Sequence, residues 1–203
     1  MYPPPYHQSH DRSKMIDVVK TFPFGMLVTA QNSDSFITHI PVIYNEDSGR
    51  LVAHIDAQNP QVATLTDGAK ATVVFKGPDC YISPSVYSTD QLPTWNYIIV
   101  HLSGIIHRIT APELIKKTMI DMTAFLEGSR PKFILEKDNP KMDRMVNYIK
   151  AFEIEITQWE GKFKLSQDKN DTDYALAKTE LIRQCKNGYK EFIDTIYDRL
   201  EVS

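Results

Sequence analysis

Short apolar runs bounded by turn residues fill the first half of the chain. Apolar positions at helical spacing fill much of the second. Met15, Val18, Val19 and Phe22 share one helical face, which predicts a short amphipathic helix from about Asp11 to Thr21, stopped by Pro23. Phe24 to Ala30 reads as a strand, Asn32 to Ser35 as a turn, and Phe36 to Tyr44 as a second strand. Pro41 inside that second strand predicts an edge or a bulge. Leu51 to Ile55 is a third strand and Ala71 to Lys76 a fourth. Between them Asn59-Pro60 opens a short helix, Asn as N-cap and Pro at the first helical position, ending near Asp67-Gly68.

The centre of the pattern is Gly77 to Gly104. Tyr81-Ile82 ends a strand at Ser83-Pro84, because proline cannot donate to a ladder. A loop of roughly a dozen residues follows, and loops that long inside a domain are usually functional or disordered. Tyr87, Trp95 and Tyr97 lie in it or beside it, which predicts aromatic area that a second copy of the chain covers. Tyr97 to Ile106 is nearly all apolar at first, the pattern of a strand buried on both faces. Thr110-Ala111-Pro112-Glu113 reads as a capping box for a helix to about Glu127, stopped by Gly128. Asn139-Pro140 opens another helix, with Met142, Met145, Val146 and Ile149 on one face. Phe152, Ile154 and Ile156 alternate with polar residues as a half-buried strand. Trp159 to Asp171 reads as a polar, lysine-rich loop. From about Thr172 to Leu200 the chain is helical, with a break near Gly188 and a stripe of Tyr189, Phe192, Ile193, Ile196, Tyr197 and Leu200. Short strands joined by tight turns, with helices around them, predict an antiparallel barrel with helices packed outside it.

Composition narrows the chemistry. The chain has 203 residues, 42% of them hydrophobic, enough for a packed core. The formal net charge of −3 and the lack of a recognisable reading helix argue against direct DNA binding. Two cysteines, Cys80 and Cys185, give no disulfide framework, and no apolar run has the length of a membrane span. No charged-then-apolar leader opens the chain, and the two unpatterned cysteines predict a reducing, cytoplasmic setting. The opening MYPPPYHQ reads as an extended proline-rich arm laid on the surface. There is no Walker loop, no G-x-G-x-x-G, no G-x-S-x-G elbow and no HExxH or CxxC spacing, so no metal site is expected. Thr38-His39 reads either as groups satisfying a bulge or as donors aimed at a ligand. His101 reads either as a satisfied barrel residue or as a proton donor. The Asn59-Pro60-Gln61 helix start offers backbone N–H groups to an anion, and Lys162 and Lys164 the matching charge or merely a solvated face.

Several motifs occur together and in order: THIP (Thr38 to Pro41), H-x-x-x-x-NPQ (His54 to Gln61), F-x-GP (Phe75 to Pro78), YISPS (Tyr81 to Ser85), PTWNY-x-x-VH-x-x-G (Pro93 to Gly104), KLSQ (Lys164 to Gln167) and NDTDY (Asn170 to Tyr174). From Met1 to about Tyr174 the chain resembles the PaiB family, described as FMN-binding negative transcriptional regulators. The resemblance implies a mainly β fold with α-helices, an FMN-binding split β-barrel with a C-terminal helical extension at 175–203, in a single domain. It implies FMN as cofactor, a homodimer with flavin sites at its interface, and a role in repressing genes. It implies cofactor-binding roles for Thr38, His39, Pro41, His54, Asn59, Gln61, Trp95, Asn96, His101, Lys164 and Gln167, with no catalytic residue assigned. A flavin-dependent oxidoreductase or flavin reductase of the same fold, and a flavin-free interaction module, are the alternative readings.

Overall fold

The computed structural model describes residues 4–186 and 188–200, and side chains to residue 198. Met1 to Pro3 of the expected arm and the side chain of Leu200 lie outside the described residues. The described elements are β1 (Gln8–Ser9), α1 (Arg12–Thr21), β2 (Phe24–Gln31), β3 (Asp34–Asn45), β4 (Arg50–Asp56), β5 (Lys70–Ile82), β6 (Thr94–Ile109), α2 (Pro112–Glu127), α3 (Pro140–Met145), β7 (Ile149–Lys164), α4 (Asp171–Gln184) and α5 (Lys190–Leu200). The strands follow the order β1-β7-β4-β3-β2-β5-β6, and β7 also pairs with β6. Every pairing with a resolved register is antiparallel. This is the mainly antiparallel split-barrel class with helices that the sequence predicts. The chain divides into two compact units: residues Met1–Phe22, Lys76–His101 and Trp159–Ser203, and residues Pro23–Phe75 and Leu102–Gln158.

In the second unit, β2 and β3 form a hairpin. Its turn residues Asn32 and Ser33 have φ of 51° and 71°, the left-handed pair that matches strand twist in a two-residue turn. β3 pairs with β2 as far as Pro41 and with β4 from Val42 onward. Through Pro41, β3 is paired on the β2 side alone, so the proline stands at a local edge, as expected. It marks the place where β3 changes partner, and there the Val42 N–H donates to the Pro23 carbonyl at 2.8 Å. α2 starts at Ala111 without a side-chain cap, so the expected capping box does not form; Gly128, at φ 71°, ends the helix as expected. Met122 and Phe125 of α2 pack on Ile43 and Val52, while Ile115 and Met119 pack with Ile149 and Ala151. Each such side chain contributes about 1.5–3 kcal/mol when fully buried. A Cβ on Gly104 would lie 2.1 Å from the Glu155 carbonyl oxygen, so only glycine allows this approach of β6 to β7.

In the first unit, α1 is capped by Asp11, whose carboxylate accepts the Ser13 N–H at 2.8 Å. Met15 of α1 packs over Gly161 of β7, and Phe22 meets the rings of Tyr189 and Phe192. Asn170 caps α4.

Four expectations need correction. The predicted fourth strand and the Tyr81-Ile82 strand are one strand, β5, continuous through Gly77-Pro78. β6 is not buried on both faces: Asn96, Ile98, Val100, Leu102 and Ile106 are buried while the residues between them are only partly covered. The Trp159 to Asp171 stretch is not a loop throughout, because β7 runs on to Lys164, with Gly161 and Phe163 buried and Lys162 and Lys164 on the other face of the strand. The helix opened by Asn59-Pro60 is a short 3₁₀ helix, Pro60–Thr64, that stops before Asp67-Gly68.

Candidate functional site

The first unit holds a polar cleft of about 310 Å³ lined by Tyr6, His7, Gln91, Leu92, Pro93, Thr94, Asn96, Lys164, Ser166, Asp168 and Lys169. Its walls follow from local sequence. β7 ends at Lys164, and the chain then turns through Ser166 at φ 65°. Gln167 holds that turn. Its Oε1 accepts the Leu165 N–H at 2.7 Å, and its Nε2 donates to the carbonyls of Phe163 and Tyr6, the latter at 3.1 Å. One amide thus fixes the turn and draws the N-terminal segment onto it, and the β1 pairing of Gln8 with Lys162 continues the attachment. The expected surface arm is instead a wall of the cleft, with His7 only 6% exposed.

Asn170 and Asp173 lie behind the other wall, Gln91 to Thr94, and brace the loop that carries it. The Asp173 N–H donates to Asn170 Oδ1 at 2.9 Å, and Asn170 Nδ2 donates back to the Asp173 carboxylate, a reciprocal cap. The same carboxylate accepts the Ser88 N–H at 2.6 Å, the Ser88 hydroxyl at 2.8 Å and the Thr89 hydroxyl. Burial pushes this carboxyl up, but the hydrogen bonds from Thr89, Ser88 and Asn170 outweigh it and hold it below the usual carboxylate range. The long loop after β5 is therefore tied to the start of α4. Tyr87 is inside, not offered to a partner as expected: it is 8% exposed and its hydroxyl meets Ser166 Oγ at 2.9 Å. Ser166 Oγ in turn donates to Asn96 Oδ1 at 3.0 Å, so Tyr87 is the donor to Ser166.

The cleft is rich in donors. Lys164 Nζ donates to Thr94 Oγ1 at 2.5 Å, and Lys169 pairs with Asp168 at 2.9 Å. Within the cleft, both ring nitrogens of buried His7 have no protein partner at hydrogen-bond distance, while the Asn96 amide N–H faces the Tyr197 hydroxyl. Burial lowers the His7 pKa, opposed by Asp168 and reinforced by Lys164, Lys162 and Lys169. Such a set suits an acceptor-rich anion, and a phosphate-bearing flavin fits that description.

Of the other predicted residues in this unit, Trp95 lies on the opposite face of β6 from Asn96, half exposed, its indole N–H on Asp79 at 2.9 Å. His101 sits 3.8 Å from Glu160; burial lowers its pKa and Glu160 opposes that. The remaining predicted residues are in the second unit. Asn59 Oδ1 accepts the Gln61 N–H at 2.9 Å, its Nδ2 donates to Thr38 Oγ1 at 3.2 Å, and the Val62 N–H goes to the Asn59 carbonyl. The amides expected to be free for an anion at this turn are thus already bonded. Gln61 Nε2 donates to Thr29 Oγ1 at 3.0 Å and to the carbonyls of Leu27 and Phe36 at 3.2 Å. His39 is exposed and stacks on Phe24 at 6.1 Å, and Pro41 pairs with Phe24 in the ladder. His54 is largely buried, which lowers its pKa. The second unit has a larger cavity of about 410 Å³, but Arg50 within it is already spanned by Glu153 and Glu155 at 3.0 and 3.1 Å.

Sequence reasoning missed His7, Ser166 and Asp173. The KLSQ and NDTDY motifs were the available signal for the last two. Nothing local announces His7, since it is placed by the bond of Gln167 to the Tyr6 carbonyl, 161 positions away in sequence.

Residues 1–158 match the model of a family described as "Putative FMN-binding domain". The chain is 28% identical over 204 residues to the protease synthase and sporulation protein PAI 2 of Bacillus subtilis (strain 168), covering 99% of each. Among solved structures, it is similar to an FAD and heme binding protein from Mycobacterium smegmatis (TM-score 0.64, 21% identity, 83% of this chain and 79% of that one). It is also similar to the flavocytochrome Anf3 from Azotobacter vinelandii (TM-score 0.61, 16% identity, 86% and 78%). Both structural likenesses bear on the fold. With the family match spanning most of the chain and the motifs in place, the chain belongs to the PaiB family of FMN-binding proteins.

Proposed function

We propose that this protein binds FMN, with Lys164 and Asn96 contacting the cofactor in the first unit's cleft. The family match over residues 1–158 carries this reading, and the donor-rich cleft supports it. The flavin, when bound, supplies redox chemistry; the chain's residues bind and orient it. Gln167 has all its polar atoms engaged and acts by holding the Ser166 turn, and Asn59 positions its own turn against Thr38. FMN at about 100 times its Kd should stabilise the native state by about 2.7 kcal/mol. A thermal melt should therefore shift upward with FMN. A midpoint that does not move at saturating FMN would remove the reading.

The biological role we infer is regulatory, as the family resemblance implies, and the B. subtilis relative is named a protease synthase and sporulation protein. It acts without direct sequence-specific DNA contact, given the net charge of −3. We also place the protein in the cytoplasm as a homodimer. The support for a dimer is the outer face of the β2–β3 hairpin, where Phe24 and Ile37 are 64% and 56% exposed. Wild-type protein should sediment at twice the chain mass and Ile37→Glu at the chain mass. A wild-type monomer at tens of micromolar would contradict the dimer.

A further inference from the structure

His7 is a costly residue to bury in this way. It is 6% exposed and neither ring nitrogen has a protein partner, whereas buried polar groups are nearly always bonded. The chain nonetheless fixes it there: Gln167 holds the Tyr6 carbonyl, and Gln8 and Ser9 pair with Lys162 and Gly161. The ring lines the same cleft as Lys164, Lys169 and Asp168. One unpartnered buried imidazole and two lysines, of which Lys169 is paired with Asp168, therefore face one cleft.

We propose that His7 is a direct contact for the phosphate group of the ligand in this cleft, and that it takes up a proton when that group binds. This rests on the reading that the cleft takes a phosphate-bearing flavin, but the chemistry is that of any phosphate monoester or tetrahedral dianion. The charged groups around the ring are Asp168, Lys164, Lys162 and Lys169. In the free protein, burial and the three lysines keep the imidazole neutral. A dianion among them reverses the local field and makes the protonated ring the better donor. Because the bound state holds the proton over a pH range where the free state does not, affinity falls as pH rises through that range.

The test uses inorganic sulfate, a dianion throughout the range, and inorganic phosphate, with binding followed by calorimetry in buffers of different ionisation heat. Wild type should bind both, and sulfate with net proton uptake near neutral pH; with phosphate, the proton its own monoanion sheds offsets that uptake. His7→Gln should bind both roughly tenfold or more weakly and take up no proton with sulfate, because a charged hydrogen bond has become a neutral one. Lys169→Gln, on the cleft rim, should weaken both ions yet keep the proton uptake. Proton uptake is a readout that a merely structural histidine would not move. If the FMN phosphate occupies the site, phosphate competes with FMN, and His7→Gln weakens FMN while sparing riboflavin. If a different phosphate ester occupies it, phosphate binds the FMN-loaded protein as well as the free one. If FMN fails to bind but the ions bind as described, the flavin reading falls and this one stands. Equal ion affinities and equal proton uptake in wild type and His7→Gln overturn the proposal.

Discussion

Lys164→Ala is expected to weaken FMN roughly ten- to a hundredfold while leaving riboflavin, which lacks the phosphate, nearly unchanged. Lys164 lines the cleft, bonds Thr94 at 2.5 Å, and makes no ion pair among the described residues. Its charge is therefore not already committed to a carboxylate, unlike that of Lys169. A charge-assisted hydrogen bond contributes about 1.5–3 kcal/mol, which is the range of the expected loss. Titration of both flavins against wild type and variant measures it. Equal losses for FMN and riboflavin would move Lys164 away from the phosphate. Lys164→Arg should recover part of the affinity, since it keeps the charge but carries it on a wider group.

Gln61→Ala is expected to cost about 2–4 kcal/mol of stability, with a midpoint lower by roughly 5–15 °C. Gln61 is 1% exposed, and its single amide group bonds Leu27 and Thr29 of β2 and Phe36 of β3. Alanine leaves those acceptors without their donor and leaves a cavity. The Thr29–Thr64 contact at 2.6 Å and the Thr64 bond to the Gln61 carbonyl would loosen with it. Gln61→Met, which keeps most of the volume, should lose less. Thermal unfolding of the two variants decides between a fastener and a ligand contact. If Gln61→Ala melts like wild type and loses FMN affinity, the residue meets the cofactor instead.

Much of the architecture was legible in the sequence. The α1 helix, the β2–β3 hairpin and α2 follow directly from periodicity, prolines and glycines, because those signals act over a few residues. Lys162 and Lys164 misled, since charged residues on one face of a strand look locally like a polar loop; the buried Gly161, Phe163 and Leu165 were the counter-signal. Tyr87 misled for a different reason. A tyrosine in a long loop is normally exposed, and only Asp173 and Ser166, some 80 positions away, draw it inside. The site was legible only as motifs. Asn96 and Lys164 stand in their motifs and line the cleft, but the work of Gln167 and the burial of His7 depend on contacts between distant parts of the chain. No local pattern encodes those. The Asn59-Pro60 turn shows the reverse: its local chemistry was read correctly as a cap, and that cap is what occupies the amides expected for an anion.

The central claim is that this chain holds FMN. Its most direct test is to incubate purified protein with excess FMN, desalt it, and record the visible spectrum of the protein fraction. The account predicts a flavin band that elutes with the protein at about one flavin per chain, shifted from that of free FMN, and reduced to a trace in Lys164→Ala. Protein that emerges colourless, with all the FMN in the small-molecule fraction and no binding by equilibrium dialysis, would contradict it.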